Sequence, residues 1–269
     1  IEGGGMSGGA IHVDGGISSQ FISALMMVAP RLEGGLRMQL LGDVVSTPYI
    51  RMTLELMRAG GIRADMEGRE IRLEEGPYRF GEFTVESDWS GASYWFQVAA
   101  LLPGSEIFLP HLRENSLQGD AVLVDLFGRL GVESSFSDGG LSLKSGAGAD
   151  MREFRQDFTS CPDLVQTCAA SLCALGIPFC FTGTRTLRVK ETDRIAALQS
   201  ELGKLGFPLE ADERGDRLSW NGERVASQDD VLIQTYHDHR MALAFAPLCL
   251  ALGPLTINDP LVVSKSYPR

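Results

Sequence analysis

At roughly 150 residues per domain, a chain of 269 residues predicts two compact units, each large enough to bury its own core. With 44% hydrophobic and 22% charged residues, the composition is globular and excludes a disordered or fibrous chain. Lys and Arg number 24 against 35 Asp and Glu, a net charge of −11 that argues against nucleic acid as a partner. The longest apolar run, residues 241–252, has 12 residues and contains Pro247, too short to span a bilayer.

Five cysteines, Cys161, Cys168, Cys173, Cys180 and Cys249, are odd in number and contain no C-x-x-C pair. The histidines do not flank them at ligand spacing, so zinc is not expected, and buried reduced thiols in the cytoplasm are. No charged segment followed by an apolar one marks the N-terminus for secretion. Both ends, Ile1-Glu2-Gly3 and Tyr267-Pro268-Arg269, read as cuts through a longer protein.

In chain order the elements repeat. A helix over 18–28 is followed by a strand over 36–41, a helix over 48–59 closed by Gly60-Gly61, and a hairpin pairing 62–66 with 71–73. After a break between units near 83–87, the order recurs: helix 90–102, strand 106–109, helix 118–130 closed by Gly131, strands 132–136 and 141–143. A third copy has helix 163–175, strand 179–182, helix 192–205 closed by Gly206, and strands 207–210 and 218–220. A helix over 238–252 and a strand over 255–258 open an incomplete fourth. Each copy is predicted as βαβαββ, the closing glycines taking the left-handed position after the last helical turn. Residues 95–102 and 164–175 are almost wholly nonpolar, which predicts helices at the centre and sheets outside.

Polar clusters mark the helix starts: Ser18-Ser19-Gln20, Ser90-Gly91-Ala92-Ser93, Pro162-Asp163 and Asp238-His239-Arg240. Two readings stand for them, ordinary N-capping and an anion site on free backbone N–H groups. Lys190-Glu191-Thr192-Asp193-Arg194 is likewise either a solvated first turn or a cationic pocket with a carboxylate poised to move a proton. His237 and His239, two apart, point to opposite sides of an extended chain, and no metal is expected there. Arg240 opens an apolar helix and needs an anionic partner if buried, a question Lys265 also raises.

Lys190-Glu191-Thr192-Asp193-Arg194 together with Asp238-His239-Arg240-Met241-Ala242 resembles the 5-enolpyruvylshikimate-3-phosphate synthase family. Ser18-Ser19-Gln20-Phe21, Ser46-Thr47-Pro48-Tyr49-Ile50, Asn115-Ser116-Leu117-Gln118-Gly119-Asp120, Pro162-Asp163 and Ser264-Lys265-Ser266-Tyr267-Pro268 extend the likeness across the chain, in the family's order. The resemblance implies an α/β enolpyruvyl transferase fold of two inside-out α/β barrel lobes built from βαβαββ units, the first lobe incomplete. Residues 1–86 would be the remainder of that lobe, and 87–269 the second lobe. It implies transfer of the enolpyruvyl group of phosphoenolpyruvate to the 5-hydroxyl of shikimate 3-phosphate, by a cytoplasmic monomer without metal or organic cofactor.

On that resemblance Ser18, Ser19, Gln20, Ser46, Tyr49, Asp163, Thr186 and Lys190 hold shikimate 3-phosphate. Gln20, Arg194, Arg240 and Lys265 hold phosphoenolpyruvate; Asp163 accepts the hydroxyl proton and Glu191 protonates the methylene carbon. The pattern departs at Thr186, where many members have Asn, and around Trp89 and Gly91. The family's N-terminal Lys-Ser segment, its Asn-Ala-Gly-Thr loop and the Arg that follows have no counterpart here. The chain is therefore expected to be inactive or severely impaired alone. The alternatives are a non-catalytic fragment, or a related enolpyruvyl transferase or cyclase-fold protein.

Overall fold

The computed structural model describes residues 5–16, 18–148 and 151–267. The chain divides into two compact units, Ile1–Val85 with Leu117–Gly119, and Glu86–Ser116 with Asp120–Arg269.

The first unit runs β1 (Gly9–Asp14), α1 (Ser19–Val28), β2 (Leu36–Leu41), α2 (Thr47–Ala59), β3 (Ala64–Glu67) and β4 (Glu70–Leu73). Its sheet has the order β1-β2-β4-β3, with β1 parallel to β2 and β4 antiparallel to both neighbours. Leu36, Met38 and Leu40 alternate inward from β2, as the period of a strand requires, and share a core with Ile22 and Met26 of α1 and Ile50, Leu54 and Met57 of α2. α1 keeps Phe21, Met27 and Val28 exposed on the face turned away from that core.

The second unit begins with α3 (Trp89–Leu101) and β5 (Glu106–Pro110). A 3-10 turn over Gly119–Val122, α4 (Leu123–Gly128), β6 (Val132–Ser137) and β7 (Gly140–Ser145) complete the copy. Its sheet is three-stranded, β5-β7-β6, with no leading strand among the described residues. The next copy holds β8 (Phe154–Asp157), α5 (Val165–Leu175), β9 (Phe179–Thr182), α6 (Arg194–Lys204), β10 (Glu210–Ala211) and β11 (Arg217–Trp220). Its order, β8-β9-β11-β10, reproduces that of the first unit strand for strand, including the parallel leading pair. The last copy is β12 (Leu232–Ile233), α7 (His239–Phe245), α8 (Cys249–Leu252) and β13 (Thr256–Ile257), with β12 parallel to β13.

α3, α5 and α7 pack on one another, and α3 and α5 are buried on nearly every face. Helices lie at the centre of this unit and sheets outside. Gly61, Gly131 and Gly206 stand at φ 81°, 88° and 87°, the same left-handed turn in three copies.

Three predicted helices differ in detail. Residues 118–130 form a 3-10 turn and then the short α4. Residues 238–252 split into α7, a 3-10 turn over Ala246–Leu248 and α8, because Pro247 has no N–H to donate and its ring crowds the preceding turn. α6 starts at Arg194 rather than Thr192, since Asp193 accepts from the N–H groups of Ile195 and Ala196 and caps it. Of the five free cysteines, Cys161, Cys168 and Cys173 are buried as expected, whereas Cys180 is half-buried and Cys249 exposed. Burial pushes the Cys161 thiol up to about 12, which makes it inert.

Candidate functional site

The charged residues that the sequence singles out in the second unit converge on one buried cation. Asp163 lies in the 3-10 turn Pro162–Leu164 that opens α5, and Lys190 and Glu191 lie in the link before α6. Arg194 is the first residue of α6, Asp238 caps α7, and Lys265 ends the 3-10 helix Pro260–Lys265. Because α5 packs against both α6 and α7, and α7 against the Pro260–Lys265 turn, these starts and ends are brought to one place.

Arg194, 1% exposed, spends its guanidinium on three carboxylates. Its Nε donates to Asp238 Oδ2 at 2.7 Å, Nη1 to Asp163 Oδ1 at 2.9 Å, and Nη2 to Glu191 Oε2 at 2.8 Å. Arg240 Nη2 donates to the other Asp163 oxygen at 2.9 Å, and Lys190 Nζ lies 3.5 Å from Asp163. Lys265 Nζ donates to Glu191 Oε1 at 2.5 Å. Four cations thus meet three carboxylates, a local excess of one positive charge in a chain whose net charge is −11. Asp238 also accepts from Arg240 N at 2.9 Å, so one carboxylate both caps α7 and anchors Arg194.

Burial alone would raise the Asp163 pKa, but the charges of Arg240, Lys190 and Arg194 and the Arg194 hydrogen bond outweigh it and hold the carboxyl well below its usual range. Glu191 is treated likewise: burial acts upward, yet the Lys265 hydrogen bond and the Arg194 charge bring it to about 2. Both groups are ionised at neutral pH. Folded pKa values below the ordinary 3.8 and 4.5 mean stability that is present above those values and lost as pH falls through the folded ones. The urea midpoint is therefore expected to fall steadily from about pH 4.5 towards pH 2, and Asp163→Asn to remove part of that slope. A midpoint unchanged between pH 5 and 2.5 would contradict it.

His239 is one of the polar residues that open α7. It is 5% exposed beside this cluster, and its Nδ1 is buried with no hydrogen-bond partner among the described residues. Burial first, and the Arg240 charge after it, lower its pKa, so the ring is neutral at pH 7. Tyr94, which no motif flagged, is buried close to Arg240, and burial raises it to about 12. No group of three or more His, Cys, Asp or Glu that could hold a metal ion occurs among the described residues. No helix among them is long and apolar enough to cross a membrane.

Thr186 sits half-buried in the 3-10 turn Arg185–Val189 and makes none of the ion pairs above. Ser18, Ser19, Gln20, Ser46 and Tyr49 belong to the first unit. Ser18 caps α1 by accepting from Gln20 N; Ser19 is buried and Gln20 exposed. Ser46 precedes α2 at φ 54° without a side-chain capping bond, a strained placement for a residue with a Cβ, and Tyr49 N donates to its carbonyl.

The profile described as EPSP synthase (3-phosphoshikimate 1-carboxyvinyltransferase) matches residues 1–269. The chain belongs to the EPSP synthase family. It is 46% identical over 269 residues to the 3-phosphoshikimate 1-carboxyvinyltransferase of Bacteroides fragilis, covering all of this chain and 65% of that protein. The protein of that name from Vibrio atlanticus is 36% identical over 271 residues, 62% of its length. The solved EPSP synthase of Acinetobacter baumannii superposes with a TM-score of 0.71 at 20% identity, covering 98% of this chain and 61% of that one. The fold is accordingly that of EPSP synthases, and the chain spans under two thirds of the length of these family members.

Proposed function

We propose that the second unit holds phosphoenolpyruvate and that the chain belongs to an enzyme transferring its enolpyruvyl group to the 5-hydroxyl of shikimate 3-phosphate, with release of phosphate. The observation that carries this reading is the surplus of one cation, four against three carboxylates, gathered around the ionised Asp163 and Glu191. A substrate with a phosphate and a carboxylate needs such a surplus, and the reaction needs groups to give and take a proton. The family membership and the two relatives named 3-phosphoshikimate 1-carboxyvinyltransferase support the choice of substrates.

Arg240 and Lys265 are assigned to the phosphate and carboxylate of phosphoenolpyruvate, Arg240 by its planar fork and Lys265, 58% exposed, as a mobile point charge. Arg194 completes the clamp chiefly by orienting Asp163, Glu191 and Asp238. Lys190 and Thr186 are assigned to shikimate 3-phosphate. Glu191 must carry a proton to protonate the methylene carbon. An anion that draws Lys265 away from it removes the hydrogen bond holding its pKa near 2 and raises it. Protonation leaves C2 electrophilic; the 5-hydroxyl oxygen adds there while Asp163 takes the hydroxyl proton. Loss of a methyl proton and cleavage of the C–O bond to phosphate then restore the double bond. The free thiols at Cys161, Cys168 and Cys173 fit a reducing cytoplasm.

Titration calorimetry with shikimate 3-phosphate, with and without phosphoenolpyruvate, tests this directly. Binding of each, tighter in the presence of the other, is expected; a chain that binds neither overturns the reading.

A further inference from the structure

The segment that delivers Asp238, His239 and Arg240 enters α7 through two consecutive left-handed residues. Tyr236 and His237 have φ 54° and 57°. Neither is glycine, so each position is disfavoured by the contact between its Cβ and the following carbonyl. Such a pair persists only where its surroundings hold it. His237, 92% exposed, approaches Asp259 at 3.7 Å, too far for a hydrogen bond, so its own side chain does little to hold the turn.

The holding comes from Glu201 in the third turn of α6. This carboxylate is completely buried. Its Oε1 accepts from the Tyr236 hydroxyl at 2.6 Å and from Ser200 Oγ at 3.3 Å. Its Oε2 accepts from Gln234 N at 3.0 Å and from Lys204 Nζ at 2.6 Å. Lys204 Nζ also donates to the carbonyl of Leu232, in β12. One carboxylate therefore grips the chain on both sides of Thr235, and the bond from Asp238 N to Thr235 O, 2.8 Å, closes the turn. Arg194 stands two helical turns before Glu201 on the same face of α6 and holds Asp238. A single helix thus fixes the segment at two points, one before the left-handed pair and one after it.

We propose that Glu201 and Tyr236 are positioning residues, a clamp from α6 that holds residues 236–237 left-handed and so sets Asp238, His239 and Arg240 at the anion site. Its bearing on ligand affinity rests on the function proposed above; its bearing on the loop does not.

Tyr236→Phe removes one hydroxyl and keeps the ring. In hydrogen exchange followed by mass spectrometry on the 269-residue chain, peptides covering 237–241 are expected to exchange about tenfold faster, the scale of one lost hydrogen bond to a charged group. Peptides from α3 and α5 should not change. Adding His237→Gly, which takes positive φ freely, should restore most of the protection. Exchange at 237–241 that stays unchanged, accelerates equally everywhere, or is not recovered by His237→Gly overturns the proposal. Where the parent chain binds phosphoenolpyruvate, Y236F should bind it about fivefold more weakly, with recovery in the double variant; equal affinity also overturns it. A parent chain that binds no phosphoenolpyruvate refutes the functional reading instead, and the exchange result then decides the clamp by itself.

Discussion

Arg194→Ala is expected to destabilise the second unit by about 3–5 kcal/mol, the usual cost of removing one partner from a buried ion pair. The loss falls unevenly. Asp163 keeps Arg240 and Lys190, and Glu191 keeps Lys265. Asp238, fully buried, loses the guanidinium that meets both its oxygens and is left to the backbone of α7 and the neutral His239. Its charge can then reach water only by loosening the start of α7. Arg194→Lys should recover part of the deficit, because an ammonium supplies charge but cannot span three carboxylates in one plane. Urea unfolding of the parent and both variants at pH 7 measures this. A loss under about 1 kcal/mol, the range of an exposed pair, would show that the guanidinium does not organise the cluster.

The repeat was legible because it rests on local chemistry. Alternation in 36–41, the apolar 164–175 stretch and the closing glycines are each set by residues close in sequence. The charged motifs were legible for a related reason. Arg240 at the head of an apolar helix demands a counter-ion wherever the chain goes, and Asp163 supplies it. Other features depend on partners far along the chain. Glu201 reads as a polar residue beside the stripe of Ile195, Leu198, Leu202 and Leu205. Its meaning comes from Gln234 and Tyr236, more than thirty residues on. The left-handed pair at Tyr236 and His237 carries no glycine or asparagine to announce it. The break at Pro247 was available in the sequence, but the apolar run on both sides masked it. Likewise, Gly119 and Asp120 gave sign of a turn before α4 that the stripe of Val122, Leu123 and Leu126 hid.

Arg240→Ala separates binding from folding in the same cluster. Phosphoenolpyruvate affinity is expected to fall about 100-fold or more, since the variant loses the buried fork assigned to bind the ligand directly. Stability should fall by less than in Arg194→Ala, because Asp163 keeps two of its three cations and Asp238 keeps Arg194. Arg240 is also the first of the charges that hold Asp163 ionised, so the variant should begin to lose stability on acidification at a higher pH than the parent. Arg240→Lys should keep the ionisation of Asp163 while recovering only part of the affinity, the fork being lost and the charge retained. Raising the salt concentration should weaken ligand binding in the parent more than in Arg240→Ala, as fewer charges then attract the anion. Calorimetric titration of the three proteins, each checked by urea unfolding, reads both consequences. Affinity for phosphoenolpyruvate within twofold of the parent in Arg240→Ala would remove Arg240 from the site, and with it the assignment of the cation surplus to that ligand.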